Sequence, residues 1–123
     1  MKLLIVDDST MLRDMLSYAL NDGGYNDVTE GVDGVDGLEK AKATTFDLIV
    51  TDVNMPNMDG LTLVDELRKL PQYSKTPILV LTTERSGEMK SKGKAAGATG
   101  WIAKPFVPDQ LLKAVNIVLS KNS

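Results

Sequence analysis

Acidic, hydroxyl and basic side chains follow four of the short apolar runs along this chain. In chain order they are Asp7 and Asp8, then Asp52, then Thr82 and Thr83, then Lys104 before Pro105. Carboxylates brought together repel each other, by roughly 4 kcal/mol for two charges ~4 Å apart at an effective dielectric of 20. A hard divalent cation with oxygen ligands, Mg²⁺ or Mn²⁺, removes that repulsion. An open Mg²⁺ site of this kind favours a phosphoryl ligand.

The elements that must position these side chains alternate along the chain. Five apolar runs, at 3–6, around Val28, at 48–50, at 78–81 and at 101–103, are each followed by a segment with helical spacing. This alternation is typical of βαβ units and predicts an α/β fold, a doubly wound (βα)₅ parallel sheet with helices on both faces. The weak, polar run around Val28 suits an edge strand. The ligand site of such a sheet lies outside the carboxyl ends of its strands, so we expect the chemical residues to converge there.

Composition limits the classes of function. The chain has 123 residues, 42% of them hydrophobic and 25% charged, with a net charge of −3. These values indicate one globular domain over 1–123, without a broad basic surface for nucleic acid. Cysteine and histidine are both absent, which excludes thiol chemistry and imidazole metal sites. The apolar runs are too short for a signal peptide or a membrane span. We expect a soluble, cytoplasmic monomer.

Other α/β ligand sites fit poorly. The turn after the first run is Asp7-Asp8-Ser9-Thr10, whereas dinucleotide and FMN sites need glycines or donors there. A P-loop sequence is also absent.

Each candidate residue also has an ordinary structural explanation. Asp8 or Ser9 could cap the first helix, and Thr82 or Thr83 the fourth. Lys104 could be a solvated surface lysine. Asp52 resists such an explanation, because an unpaired carboxylate at the end of an apolar strand is costly.

Four motifs in this order resemble the receiver domain of two-component response regulators, in particular that of single-domain chemotaxis regulators. They are Leu4-Ile5-Val6-Asp7-Asp8-Ser9, the run 51–61 (TDVNMPNMDGL), the run 79–84 (LVLTTE) and the run 97–106 (GATGWIAKPF). The resemblance covers essentially the whole chain. It implies a flavodoxin-like fold with strand order 2-1-3-4-5.

The resemblance assigns a role to each candidate. Asp52 is implied to accept a phosphoryl group from a CheA-like histidine kinase, and Lys104, before a cis Pro105, to pair with that group. The implied Mg²⁺ ligands are Asp8, Asp52 and the backbone carbonyl of Asn54, with Asp7 acting through water. The chain would then catalyse only its own phosphorylation and dephosphorylation.

The resemblance also implies an output. Thr82 is expected to move toward the phosphoryl group together with Trp101, which stands where chemotaxis relatives usually have tyrosine. This movement would change the face formed by the fourth helix, the fifth strand and the fifth helix. Asn54 and Glu84 are expected to tune dephosphorylation. The flagellar motor switch or a phosphatase are the implied partners.

Two other functions stay open. A phosphate sink would drain the kinase without binding the motor. An Mg²⁺-dependent phosphatase with an aspartyl nucleophile belongs to a different class. Such enzymes carry their first-strand acids two positions apart, whereas Asp7 and Asp8 are adjacent.

Overall fold

Strands and helices alternate throughout the computed structural model, which describes residues 1–83 and 86–121. The strands are β1 (Lys2–Val6), β2 (Asp27–Gly31), β3 (Leu48–Asp52), β4 (Ile78–Thr82) and β5 (Gly100–Ala103). The helices are α1 (Thr10–Asp22), α2 (Gly34–Ala43), α3 (Gly60–Arg68), α4 (Gly87–Ala96) and α5 (Pro108–Lys121), with a 3₁₀ turn at Pro71–Tyr73. The predicted α/β alternation is confirmed.

The five strands form one parallel sheet in the order β2-β1-β3-β4-β5. The expected strand order and the edge position of the polar second strand are therefore confirmed. Because β1 and β3 run side by side, with Val6 paired to Thr51, the residues that follow them leave the sheet at neighbouring points. The residues after β4 and β5 leave it at the same edge.

Alternate side chains of the strands build a core on each face of the sheet. Leu3 and Val50 pack among residues of α1 and α5, while Leu4 and Ile49 pack among residues of α2 and α3. Since successive strand side chains point to opposite faces, a strand covered on both sides must be apolar at every position. Each buried Leu or Ile contributes roughly 1.5–3 kcal/mol by leaving water, so these cores hold the carboxyl edge in place.

Serine residues cap both the first and the fourth helix. Ser9 caps α1, its hydroxyl accepting from the Leu12 N–H at 3.3 Å, so that alternative is confirmed for Ser9. Ser86 caps α4 by accepting from the Met89 N–H at 3.1 Å. Capping of the fourth helix by Thr82 or Thr83 is therefore wrong, because Thr82 ends β4 and the helix begins five residues later.

Arg68 holds the carboxyl end of α4. Its Nε donates to the Gly97 carbonyl at 2.9 Å, and its guanidinium also donates to the carbonyls of Tyr73 and Thr76 at 2.6 and 2.7 Å. Gly97, with φ +104°, ends the helix in the left-handed region that glycine adopts readily. Among the helices of the described chain, none is both long and apolar enough to cross a membrane.

Candidate functional site

Three carboxylates meet at the carboxyl ends of β1 and β3. Asp52 is the last residue of β3, and Asp7 and Asp8 directly follow β1. One oxygen from each lies within 4.8 Å of the others. Asp7 and Asp52 are buried whereas Asp8 is exposed, so the cluster opens to solvent on one side. The predicted convergence of these acids is confirmed.

Burial places the Asp7 carboxylate in an electrostatically unfavourable environment. Loss of water raises the pKa of its carboxyl above the usual value, the Ser9 N–H lowers it, and repulsion from Asp52 raises it further. Its Oδ1 accepts from the Ser9 N–H at 2.9 Å. Its Oδ2 is buried and has no hydrogen bond to any residue in the described ranges. A buried carboxylate oxygen that accepts no hydrogen bond indicates a ligand that supplies positive charge.

Lys104 supplies the cation of the site. Its Nζ lies 2.6 Å from Asp52 Oδ1 and 4.0 Å from Asp7 Oδ2, and only 17% of its side chain is exposed. The position follows from the end of β5, since the Lys104 N–H donates to the Thr82 carbonyl at 2.9 Å. The Lys104–Pro105 peptide is cis. The alternative of a solvated surface lysine is wrong.

The β4 side of the crevice carries a hydroxyl and an aromatic ring. Thr82 is buried at the end of β4 and pairs in register with Ala103. Trp101, two residues earlier on β5, is 42% exposed, and Lys90 Nζ lies 5.3 Å from its ring centroid. The indole thus lies on the surface beside α4. Glu84, predicted to tune dephosphorylation, lies outside the described residues.

The loop 53–59 lies between Asp52 and α3. Its ends meet where the Gly60 N–H donates to the Val53 carbonyl at 2.8 Å. A Cβ on Gly60 would lie 2.0 Å from the Asp52 carbonyl oxygen, so only glycine permits this approach. Asn54 is exposed within the loop. The loop thereby brings its backbone beside the acid cluster.

Sequence reasoning missed two residues that hold this loop. Asn57 donates from Nδ2 to Asp33 Oδ2 at 2.8 Å. The signal was weak: an asparagine in a Pro-Asn-Met-Asp-Gly turn suggests a left-handed residue, but nothing local in sequence names Asp33 as its partner.

The donor set fits magnesium. The three clustered acids offer only oxygen, and the described residues contain neither cysteine nor histidine. Hard divalent cations prefer such ligands. The buried Asp7 Oδ2 accepts no hydrogen bond from the described residues and has only the Lys104 ammonium, at 4.0 Å, as a counter-charge, so it is the specific feature that such an ion would satisfy.

Comparison with known proteins agrees with this geometry. A family model described as the response regulator receiver domain matches residues 3–116. The chemotaxis protein CheY1 of Helicobacter pylori is 38% identical over 123 residues, covering 99% of each chain. CheY-3 of Vibrio cholerae is 35% identical over 121 residues, covering 98% of this chain and 93% of its own.

Solved structures give the same result. CheY4 of Vibrio cholerae superposes with a TM-score of 0.91 at 51% identity, covering 95% of this chain and 97% of that one. The receiver domain of a sensor histidine kinase from Pseudomonas aeruginosa superposes with a TM-score of 0.88 at 25% identity, covering 97% of both chains. That structure has a magnesium ion coordinated in its active site cleft.

The sheet order, the acid cluster and these matches define a class of signalling domain. The chain belongs to the response regulator receiver domain family, and chemotaxis proteins of the CheY type are among its relatives. Receiver domains are in general signalling switches rather than classical enzymes, and they bind Mg²⁺ in an acidic pocket. The resemblance drawn from the four motifs is confirmed.

Proposed function

We propose that this chain is an Mg²⁺-dependent phosphoacceptor switch of a chemotaxis two-component system, a single receiver domain over 1–123 that accepts a phosphoryl group on Asp52. The supporting observation is the buried Asp52 carboxylate, ion-paired to Lys104 at 2.6 Å beside the Asp7 and Asp8 carboxylates. The donor would be a phosphohistidine of a CheA-like kinase. Such a switch passes on a signal by protein–protein contact.

Asp52 needs no general base. An ionised carboxylate is already the nucleophile, so its oxygen forms the new O–P bond while the P–N bond of the phosphohistidine breaks and the imidazole keeps the electron pair. Lys104 then exchanges its contact with Asp52 for a phosphoryl oxygen. Because its side chain is largely buried, the ammonium remains close to the charge that develops.

Four residues would hold the metal: Asp8 and Asp52 through their carboxylates, Asn54 through its backbone carbonyl, and Asp7 through water. When bound, Mg²⁺ neutralises charge on the phosphoryl group that is transferred. This neutralisation is the main contribution to catalysis in phosphoryl transfer. The buried Asp7 carboxylate would add negative charge beside the ion.

The output would be the face formed by α4, β5 and α5. A phosphoryl group adds a charge near −2 and three acceptor oxygens, which would draw the Thr82 hydroxyl inward. The space that Thr82 leaves would admit the Trp101 indole from the surface, with the turn at Pro105 fixing the other end of the site. Asn54 and Glu84 would set the rate at which water removes the phosphoryl group.

The experiment that tests this proposal is intact-mass measurement after incubation with acetyl phosphate, with Mg²⁺ or with a chelator. We expect one added phosphoryl group, lost in Asp52→Ala and without Mg²⁺. Asp65→Ala, which removes an exposed acid of α3, is the matched control and should be phosphorylated normally. Absence of phosphorylation in the unsubstituted chain would refute the proposal.

Two further measurements separate the alternatives. Binding of the phosphorylated chain to a flagellar switch-component peptide would indicate motor output, whereas kinase drainage without binding would indicate a phosphate sink. Turnover of an external phosphate ester would instead indicate the phosphatase. If Thr82→Ala leaves the phosphorylation-induced change in Trp101 fluorescence intact, the proposed coupling is wrong.

A further inference from the structure

We propose that Asp33 and Asn57 form a latch that positions the loop 53–59, and through it the Asn54 carbonyl, for Mg²⁺. The inference rests on the proposed function and adds two positioning residues to it. Neither residue belongs to the proposed ligand set, and 24 positions separate them in sequence. They join the start of α2 to the loop beside the acid cluster.

Asn57 holds its backbone in an uncommon conformation. Its φ of +70° is the only positive value among the non-glycine residues of the described chain. Asparagine tolerates this region better than most residues. The conformation directs the loop so that Asn57 Nδ2 donates to Asp33 Oδ2 at 2.8 Å. A turn that adopts an uncommon φ and also makes a long-range hydrogen bond has a defined position.

Asp33 uses its two oxygens for two different elements. Oδ1 accepts from the Asp36 N–H at 2.8 Å and so caps α2, while Oδ2 accepts from Asn57. These two donors hold the pKa of Asp33 below its usual range, so the carboxylate is ionised at neutral pH. Ionised acceptors make the stronger hydrogen bonds. One side chain therefore ties the loop to the end of a helix.

Backbone contacts on both sides of the loop leave it little freedom. A Cβ on Gly34, the first residue of α2, would lie 2.3 Å from the Met58 carbonyl oxygen, and a Cβ on Gly60 would lie 2.0 Å from that of Asp52. The loop thus lies close against α2 at one point and against β3 at another. A carbonyl ligand within it can be placed only by placing the loop. Removing the Asp33–Asn57 bond releases the side that faces α2.

The test exchanges the two side chains. Asp33→Asn keeps an oxygen for the α2 cap but replaces the charged acceptor of Asn57 with a neutral amide, so the two side chains can pair only after the Asn57 amide turns over, through a weaker hydrogen bond between neutral groups. Asn57→Asp keeps a residue that tolerates positive φ but sets two carboxylates together. The double variant restores a donor–acceptor pair in the opposite direction and the original net charge. Asn57→Gly removes the donor while keeping the left-handed backbone accessible.

Mg²⁺ alone is titrated into each unphosphorylated variant by calorimetry, with thermal melts recorded in parallel. Mutation of a residue that contacts a metal ligand typically weakens metal binding by tens of fold. Asp33 and Asn57 are further from the ligands, so we expect each single variant to bind Mg²⁺ about three- to tenfold more weakly. The double variant should recover most of that loss. Asn57→Gly should resemble the single variants.

The single variants separate a latch from simple electrostatics. Charge alone would weaken Mg²⁺ binding in Asp33→Asn and strengthen it in Asn57→Asp, because one removes and the other adds a negative charge near the cluster. Opposite changes of that kind, or melting temperatures that fall while Mg²⁺ affinity stays constant, would overturn the latch. In both of these cases the unsubstituted chain still binds Mg²⁺ and the proposed function stands. An unsubstituted chain that binds no Mg²⁺ would overturn both.

Discussion

The two sides of the crevice differ in how much space surrounds their backbones. On the side of α2 and the loop 53–59, a Cβ on Gly34 or Gly60 would meet a carbonyl oxygen at 2.3 or 2.0 Å. On the side of α4, a Cβ on Gly87 or Gly93 would meet nothing within 4 Å. The proposed ligands belong to the crowded side, and the proposed output belongs to the open side.

This difference follows from packing. The loop is held by two close backbone contacts and by the Asp33–Asn57 hydrogen bond, whereas Gly93 is the only buried residue of α4. Arg68 holds α4 at its carboxyl end, and Met89 and Ala96 of α4 pack against the core but are only partly buried. Interiors packed to crystal density transmit small shifts, while sparsely packed elements have the lower local stability from which moving parts are drawn. The comparison suggests a preformed site beside a movable surface.

The largest expected effect comes from filling the crowded side. Gly60→Ala places a methyl group against the backbone of Asp52, which cannot yield as a flexible side chain would. We expect a loss of about 3 kcal/mol or more in the free energy of unfolding, measured by urea denaturation. A loss below about 0.5 kcal/mol would show that the loop is not held as the structure has it.

Asp7→Asn, on the same side of the crevice, should stabilise the folded chain in the absence of Mg²⁺. The raised pKa means that the folded chain binds a proton at a pH where the unfolded chain, near 3.8, has lost it. Stability therefore falls as pH rises through the folded pKa, and the penalty is complete above it. We expect the variant to melt several degrees higher at neutral pH.

That gain should vanish below the unfolded pKa, where Asp7 is protonated in both states. Thermal melts from about pH 3.5 to about pH 8 measure it, and Asp65→Asn, at an exposed acid, is the matched control. A gain that is independent of pH would contradict the assigned cause.

A methyl group added on the open side should raise the stability of the folded chain, by less than Gly60→Ala lowers it. Gly93→Ala adds a methyl group in free space within a helix, where alanine is favoured over glycine by roughly 0.5–1 kcal/mol. The melting temperature should rise by about 2–6 °C. Destabilisation by this substitution would show that α4 is packed as tightly as the loop, and the contrast between the two sides would fail.

The smallest expected effect concerns the aromatic side chain on the open side. Lys90→Gln removes the ammonium that lies 5.3 Å from the Trp101 ring centroid, a contact of modest strength at an exposed site. We expect increased acrylamide quenching of Trp101 fluorescence and a melting temperature within about 2 °C of the original. Lys90→Arg retains a cation over the ring and should quench as the unsubstituted chain does.

Local patterns predicted most of the fold. The apolar runs predicted the strands because a strand covered on both faces must be apolar throughout, and the polar run around Val28 marked the edge strand β2. The same reasoning failed at the fourth helix, where two plausible capping residues preceded the true cap. Thr82, Thr83 and Ser86 all carry a hydroxyl that could cap a helix. Only the point at which β4 ends shows that Ser86 is the cap.

The acids of the site were predictable because their position depends on strand ends alone. Asp7, Asp8 and Asp52 had to meet once the sheet was parallel and β1 lay beside β3. Asp33 was not predictable, since its contact with Asn57 depends on the rotation of α2 and on one residue with positive φ. Neither leaves a periodic signal in the sequence.

The amino-acid sequence by itself determined the elements, the class of fold and the chemical types at the strand ends, because periodicity and residue type act locally. The tertiary structure alone decided which partners those residues have. It paired Lys104 with Asp52, left Asp7 buried with a raised pKa, and joined Asp33 to the loop that carries Asn54. These contacts form only when segments distant in sequence are placed with a precision of a few tenths of an ångström. That precision is reached only when the whole core packs.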